Sequence, residues 1–275
     1  MSALTQMRPS FIAVCGLMIA GTVIAASDAS KSAIRCDYSV VEFRRYVIKD
    51  GERAHFAARF ESFFPEAIQQ TGAIVAGEFM ERANPSTFTW IRCFHDMDDR
   101  ARLNGELYYG PVWKEHRTQM NDLLADSDNV LLLRPLDPQH GVTVLPAVDP
   151  LTEPRGAQGI VVAQLFTLKA DALNAFPGQA EASFASYRDA GAREAGILVT
   201  LDAKNNFPQL PIRTDGPYLL WLGILPDNDT LEHRFTPLAE RAAQSLSAAG
   251  LLRRDPELII LDPAPRSRMR WRAGW

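Results

Sequence analysis

The segment Val40 to Gly51, VVEFRRYVIKDG, places Glu42, Arg44 and Tyr46 at every second position. In an extended chain that spacing puts a carboxylate, a guanidinium and a phenol on one face, with Val41, Phe43 and Val47 on the other. A guanidinium fork and a phenol can hold an anionic or strongly polarised oxygen. Glu78, Trp90, Arg92 and Arg134 extend the same face if the segments that carry them also alternate as strands. Charged groups on such a face must be paired or wet. Two readings follow. One is a self-satisfying network of two carboxylates against three guanidiniums that fixes packing. The other is a pocket with surplus positive charge, holding an anionic or quinone-like apolar molecule between the arginine forks and the Trp90 ring.

Other chemistries find less support. The chain has no Gly-x-Ser-x-Gly elbow, no Gly-x-Gly-x-x-Gly turn and no phosphate loop. Its histidines, at 55, 95, 116, 140 and 233, show no metal-site spacing. No metal and no cofactor are expected, and whether the chain is an enzyme stays open. Tyr108 and Tyr109 precede Gly110-Pro111 and could frame a pocket mouth or sit exposed in a turn; Trp113 and Trp221 read as core.

Period-2 and period-3.6 patterns supply the elements. The strand at Val40 is followed by Phe56, Phe60, Phe63, Phe64, Ala67 and Ile68, one apolar helix stripe that Gly72 ends. Strands are expected at Ala73–Arg82, Thr87–Phe94 and Asn129–Leu136, with a helix broken at Gly110-Pro111 before the last. After a linker containing Pro138, Pro146, Pro150 and Pro154, the order repeats. Strands are expected at Ile160–Leu168, Ile197–Asp202, Tyr218–Leu225 and Glu257–Asp262. One helix is marked by Leu173, Phe176, Ala180, Phe184 and Tyr187. Another is started by an Asp229/Glu232 capping box.

Each half therefore reads βαββαβ, a ferredoxin-like unit with helices on one sheet face. The other face needs cover, and packing the two sheets against each other provides it. The expected fold is α+β: two tandem ferredoxin-like domains packed sheet to sheet as an intrachain α/β barrel. The expected division is a leader at 1–26, domains at 36–137 and 159–263, a Pro-rich linker at 138–158 and a solvated basic tail at 264–275.

The leader expectation rests on Phe11 to Ala25, an apolar run after Arg8 and before Ala26-Ser27, the pattern of a secretory signal. It implies a periplasmic or secreted protein; the alternative is an uncleaved membrane anchor. Without that segment, 28 basic residues face 33 acidic ones, which argues against a nucleic-acid partner. Homo-oligomerisation stays open. Taking the strands of Cys36 and Cys93 as parallel neighbours puts these cysteines too far apart to bridge.

The first half resembles the NIPSNAP family. The residues that carry this are Glu42, Arg44, Tyr46, Lys49 and Gly51 in the opening strand and turn, Pro111-Val112-Trp113, and Leu133-Arg134-Pro135-Leu136. The third strand departs from the family pattern, with Trp90, Arg92 and Phe94. In the second half, Phe207 to Arg213 is similar to a loop of two-domain bacterial members. The resemblance implies a dimeric α/β-barrel fold, whose relatives include cofactor-free monooxygenases and haem-degrading enzymes, and it implies no catalytic residue.

Aligning Lys49 with Lys169, Trp90 with Trp221 and Pro135 with Pro263 shows how the halves differ. Glu42 becomes Val162, Arg44 becomes Gln164, Tyr46 becomes Phe166, Arg92 becomes Gly223 and Arg134 becomes Asp262. A structural network shared by equal sheets would not be so one-sided. The expectation is one ligand site between the two sheets, taking a small apolar or anionic molecule. Glu42, Arg44, Tyr46, Glu78, Trp90, Arg92 and Arg134 would be on its polar side, with Phe166 and Trp221 as its roof. The alternative is a cofactor-independent monooxygenase or haem-handling enzyme.

Overall fold

The computed structural model describes residues 34–35 and 37–274. The expected leader and Cys36 lie outside the described residues. The strands are β1 (Ile34–Arg35), β2 (Val40–Ile48), β3 (Ile74–Glu81), β4 (Thr87–Phe94), β5 (Leu124–Pro135), β6 (Thr143–Val144), β7 (Ile160–Thr167), β8 (Arg193–Thr200), β9 (Tyr218–Leu225) and β10 (Glu257–Pro263). The helices are α1 (Arg53–Thr71), α2 (Met97–Tyr108), α3 (Pro111–Asn121), α4 (Phe176–Asp189) and α5 (Thr236–Ala248), the last preceded by a π-helical turn, Thr230–Phe235.

Eight strands close into one barrel in the order β10-β3-β4-β2-β5-β8-β9-β7, with all neighbours antiparallel. Each half contributes four adjacent strands in the ferredoxin-like order. The seams are β5 with β8 and β10 with β3. Closure removes both pairs of sheet edges, which would otherwise expose unpaired backbone groups. The tandem ferredoxin-like barrel expected from the sequence is the fold observed.

Local chemistry explains the elements. Phe56, Phe60 and Phe64 recur at helical spacing and are buried on α1, each worth roughly 2 kcal/mol in transferred apolar surface. Gly72 then turns the chain at φ 105°, a left-handed conformation that favours glycine. Asp96 caps α2 by accepting from Asp99 N at 2.8 Å. In the second half the cap is not the expected Asp229 but Asp227, which accepts from Thr230 N at 2.8 Å.

The repeat is visible in the strand register. Glu42 pairs with Arg92 and Arg44 with Trp90, while Val162 pairs with Gly223 and Gln164 with Trp221. Both halves carry an irregularity at the same place, between Val75 and Gly77 and between Glu194 and Gly196.

Two expectations about the frame need correction. The strands β2 and β4 are antiparallel, with Cys93 opposite Val41, so the parallel geometry used to separate Cys36 from Cys93 does not hold. The tail beyond 264 is packed rather than solvated. Arg270 is buried and forms a two-pronged pair with Glu153 at 2.6 Å for each bond, and Met269 joins the barrel core. The linker carries the groups that hold the tail, which a count of tail charges cannot reveal.

Candidate ligand site

Alternation on β2 occurs as expected, but the two faces lie opposite to the expected layers. Val41 and Phe43 join Ile91, Leu131, Leu133, Ala163, Leu165, Leu220 and Leu222 of both halves in one buried cluster inside the barrel. Tyr46 and Trp90 instead pack with Phe56, Phe60 and Phe64 of α1. The physical reason is closure. An eight-stranded barrel is just wide enough to be filled by its own side chains, and a dry interior cannot hold uncompensated charge. The polar face of β2 therefore turns to the helix layer, where α2 supplies a further charged partner. A ligand site between the two sheets is overturned by this packing.

On the helix side Glu42 is wholly buried and collects three guanidiniums. Arg44 Nη1 donates to its Oε2 at 2.7 Å, Arg92 donates through Nε at 3.0 Å and Nη2 at 2.5 Å, and Arg100 Nε donates to Oε1 at 2.7 Å. Burial pushes the Glu42 pKa up. The three cations, led by Arg92, outweigh burial and hold the carboxyl well below the usual carboxylate range. Arg44 also donates from Nε to the Tyr46 hydroxyl at 2.8 Å. The Arg44 and Arg92 guanidiniums lie 5.4 and 5.2 Å from the Trp90 ring, within cation–π range.

Tyr46 and Trp90 in turn floor a cavity of about 390 Å³ between the first sheet and its helices. Phe60 and Phe64 of α1 form one wall, and Tyr108 and Trp113, on either side of the Gly110-Pro111 break, form another. The second half supplies a lid, with Phe207, Gln209 and Leu210 all lining the cavity. Gln209 Nε2 donates to Tyr109 Oη at 3.0 Å. Asn205 closes the lid turn on itself, accepting from Phe207 N at 3.1 Å and donating to Leu210 O at 2.9 Å. Both Asn205 and Asn206 accept from Arg100 Nη1, at 3.0 and 2.8 Å, so lid and charge cluster share one guanidinium.

The expected site residues therefore divide. Glu42, Arg44, Tyr46, Trp90 and Arg92 stand together. Glu78 faces a separate small cavity with Glu66, Arg266 and Arg268. There burial, with Glu61 next, raises its pKa to about 8. Arg134 bonds the carbonyls of Pro135 and Leu136. Phe166 and Trp221 pack among the helices of the second half and roof nothing in the first. Gly223 lets the Trp221 ring lie where the equivalent of Arg92 would project; a Cβ there would be 2.3 Å from Trp221 Cη2. Sequence reasoning missed Arg100 and the lid. Arg100 shares a helix face with Leu103, Asn104 and Leu107, and that spacing was the available signal. The lid has no periodicity to read.

The geometry can bind a flat apolar body between aromatic walls and present one polarised hydroxyl to it. Having accepted a bond from Arg44, Tyr46 still carries a phenolic proton to donate.

Comparison with two solved structures that cover most of the chain supports the fold at low identity. An anthrone oxidase-like protein is 9% identical, with 89% of this chain and 100% of that chain covered and a TM-score of 0.55. A proposed monooxygenase from Lactobacillus acidophilus is 9% identical, with 82% and 94% covered and a TM-score of 0.51. An uncharacterized NIPSNAP domain protein from Burkholderia xenovorans is 21% identical, with 35% and 93% covered and a TM-score of 0.33. Comparison with curated proteins finds no match. The NIPSNAP family model matches residues 41–137, the half that holds the charge cluster and most of the cavity wall, and the first half of this chain is a NIPSNAP-family domain.

Proposed function

We propose that the chain binds a small aromatic molecule bearing an acceptor oxygen, in the cavity between the first sheet and its helices. The observation that carries this is the Tyr46 hydroxyl, bonded by Arg44 at 2.8 Å and set in the floor of a cavity of about 390 Å³ whose lining is rich in aromatic side chains, with Arg117, Asn121, Ser127 and Gln209 also on it. That volume is within the range of small-molecule sites. The aromatic walls supply most of the affinity, and the Tyr46 hydroxyl, the polar group of the floor that Arg44 polarises, sets orientation. The second half, which has uncharged residues (Val162, Gln164 and Gly223) where the first has Glu42, Arg44 and Arg92, contributes the lid rather than a second site.

The test compares 2-naphthol with naphthalene by calorimetry. One hydrogen bond from Tyr46 predicts a preference for naphthol of roughly 3–10-fold, which Tyr46→Phe removes. Equal affinity in the unaltered protein, or no binding of either, overturns the reading.

A second reading makes the site a cofactor-independent oxygenase. It is favoured by Arg44 and Tyr46, which could stabilise the oxygen of an enolate or phenolate as negative charge develops. Anthrone is a suitable probe, since its reaction with one O₂ to give anthraquinone and water balances without a cofactor. Oxygen uptake lost in Tyr46→Phe supports it; no uptake removes it. A Soret band on haem addition would instead favour haem handling.

A further inference from the structure

Beneath the cavity floor, the charge cluster carries more positive charge and more donors than its neighbours absorb. Arg44, Arg92 and Arg100 all bond the single carboxylate of Glu42, which leaves an excess of two positive charges. All four side chains are at most 1% exposed. Tyr46 does not offset the excess, because burial raises its pKa against ionisation. Among the described residues, seven buried side-chain polar atoms have no partner, and five of them belong here: Arg92 Nη1, Arg100 Nη2, Trp90 Nε1, and both Nδ2 and Oδ1 of Asn104. Four of those five are donors. Asn104 follows Arg100 by one turn on the buried face of α2.

An uncompensated buried cation is costly, and native proteins rarely leave buried donors unpaired. Water would add a donor for each acceptor it offers, whereas an anion only accepts. We infer that Arg92, Arg100 and Asn104 hold a small monovalent anion of the halide class, distinct from the aromatic ligand. Tyr46 and Trp90, and none of the three arginines, line the aromatic cavity, so a ligand seated there does not reach these donors without displacing the floor. A small, readily dehydrated ion suits so enclosed a position. The second half provides the contrast. Gly223 stands at the Arg92 position, and continuing the register past Phe94 and Leu225 places Leu231 and Phe235 at the positions of Arg100 and Asn104. None of the unpartnered atoms lies there.

The experiment uses the ligand-free full chain in sodium gluconate and in sodium bromide at constant ionic strength. Thermal unfolding should show a saturable rise with bromide of roughly 2–4 °C, absent with gluconate. Anomalous diffraction from a bromide-grown crystal should place one bromide beside Arg92 Nη1. Arg92→Gln should lose the bromide response. Asn104→Leu, which keeps every charge of the cluster, should weaken it at least fivefold in half-saturating concentration and decides the matter if Arg92→Gln does not fold. Identical unfolding in the two salts, bromide located only elsewhere, or an unchanged response in Asn104→Leu overturns the inference. Since no aromatic ligand is present, failure here is separable from failure of the binding reading.

Discussion

Arg100 Nη1 lies 2.8 Å from Asn206 Oδ1, joining a helix of the first half to the lid contributed by the second. The same guanidinium bonds Glu42 through Nε at 2.7 Å. One side chain therefore reads both the buried charge cluster and the position of the lid. Asn206 also donates to Met97 O at 2.5 Å, which holds it from both sides.

Asn206→Ala should free the lid without disturbing the core. Hydrogen bonds to charged groups contribute about 1.5–3 kcal/mol when well made, and part of this is lost to solvent at a partly exposed site. The expected result is release of 2-naphthol faster by roughly tenfold in stopped-flow fluorescence, with the unfolding midpoint little changed. Unaltered release would show that the lid does not gate the cavity.

Glu42→Gln removes the carboxylate that bonds the three buried guanidiniums of Arg44, Arg92 and Arg100. Breaking a buried pair in this way costs on the order of 3–5 kcal/mol, which urea unfolding would register as a large fall in midpoint. A loss under about 1 kcal/mol would show that the arginines are compensated by something other than Glu42.

The pH dependence of stability should be governed by Glu78 rather than Glu42. For Glu42 the folded pKa is depressed, so its contribution is present above the unfolded value of ~4.3 and is lost only under strong acid. For Glu78 the folded pKa is raised to about 8. Its contribution is complete below the unfolded value and declines as pH rises towards the folded one, because the native state then holds a proton that the unfolded chain has released. Stability should fall from about pH 5 to pH 8 by up to ~1.4 kcal/mol per unit. Glu78→Gln should flatten the curve and be more stable than the unaltered protein at pH 8. A parallel curve would place the titration elsewhere.

Much of the frame was legible because local chemistry and tertiary packing agree. The Phe56–Phe60–Phe64 stripe, the Gly72 stop and the exact Thr87–Phe94 and Tyr218–Leu225 strands each follow from a residue pattern that the fold keeps. The equivalence of Glu42 with Val162 and Arg92 with Gly223 also holds in the register. The direction of the β2 faces did not follow. Alternation shows that two faces differ, and only barrel closure decides which one is dry. Arg100 escaped because it lies in Asp98-Asp99-Arg100-Ala101-Arg102, a charged run in the first turns of a helix, yet the helix carries it inward with Leu103. The lid and the tail anchor depend on contacts more than a hundred residues apart, Arg100 with Asn205 and Arg270 with Glu153, for which a single sequence holds no periodic signal.

The most direct test of the central claim is an NMR titration of the indole N–H resonances, assigned by single Trp→Phe variants, with 2-naphthol as the probe. Trp90 and Trp113 line the aromatic cavity, whereas Trp221, the counterpart of Trp90, is enclosed in the packed second half. Saturable shifts of Trp90 and Trp113 with Trp221 unmoved are predicted. A shift of Trp221 alone, or no shift of Trp90 at saturating naphthol, would contradict a single site on the helix side of the first sheet.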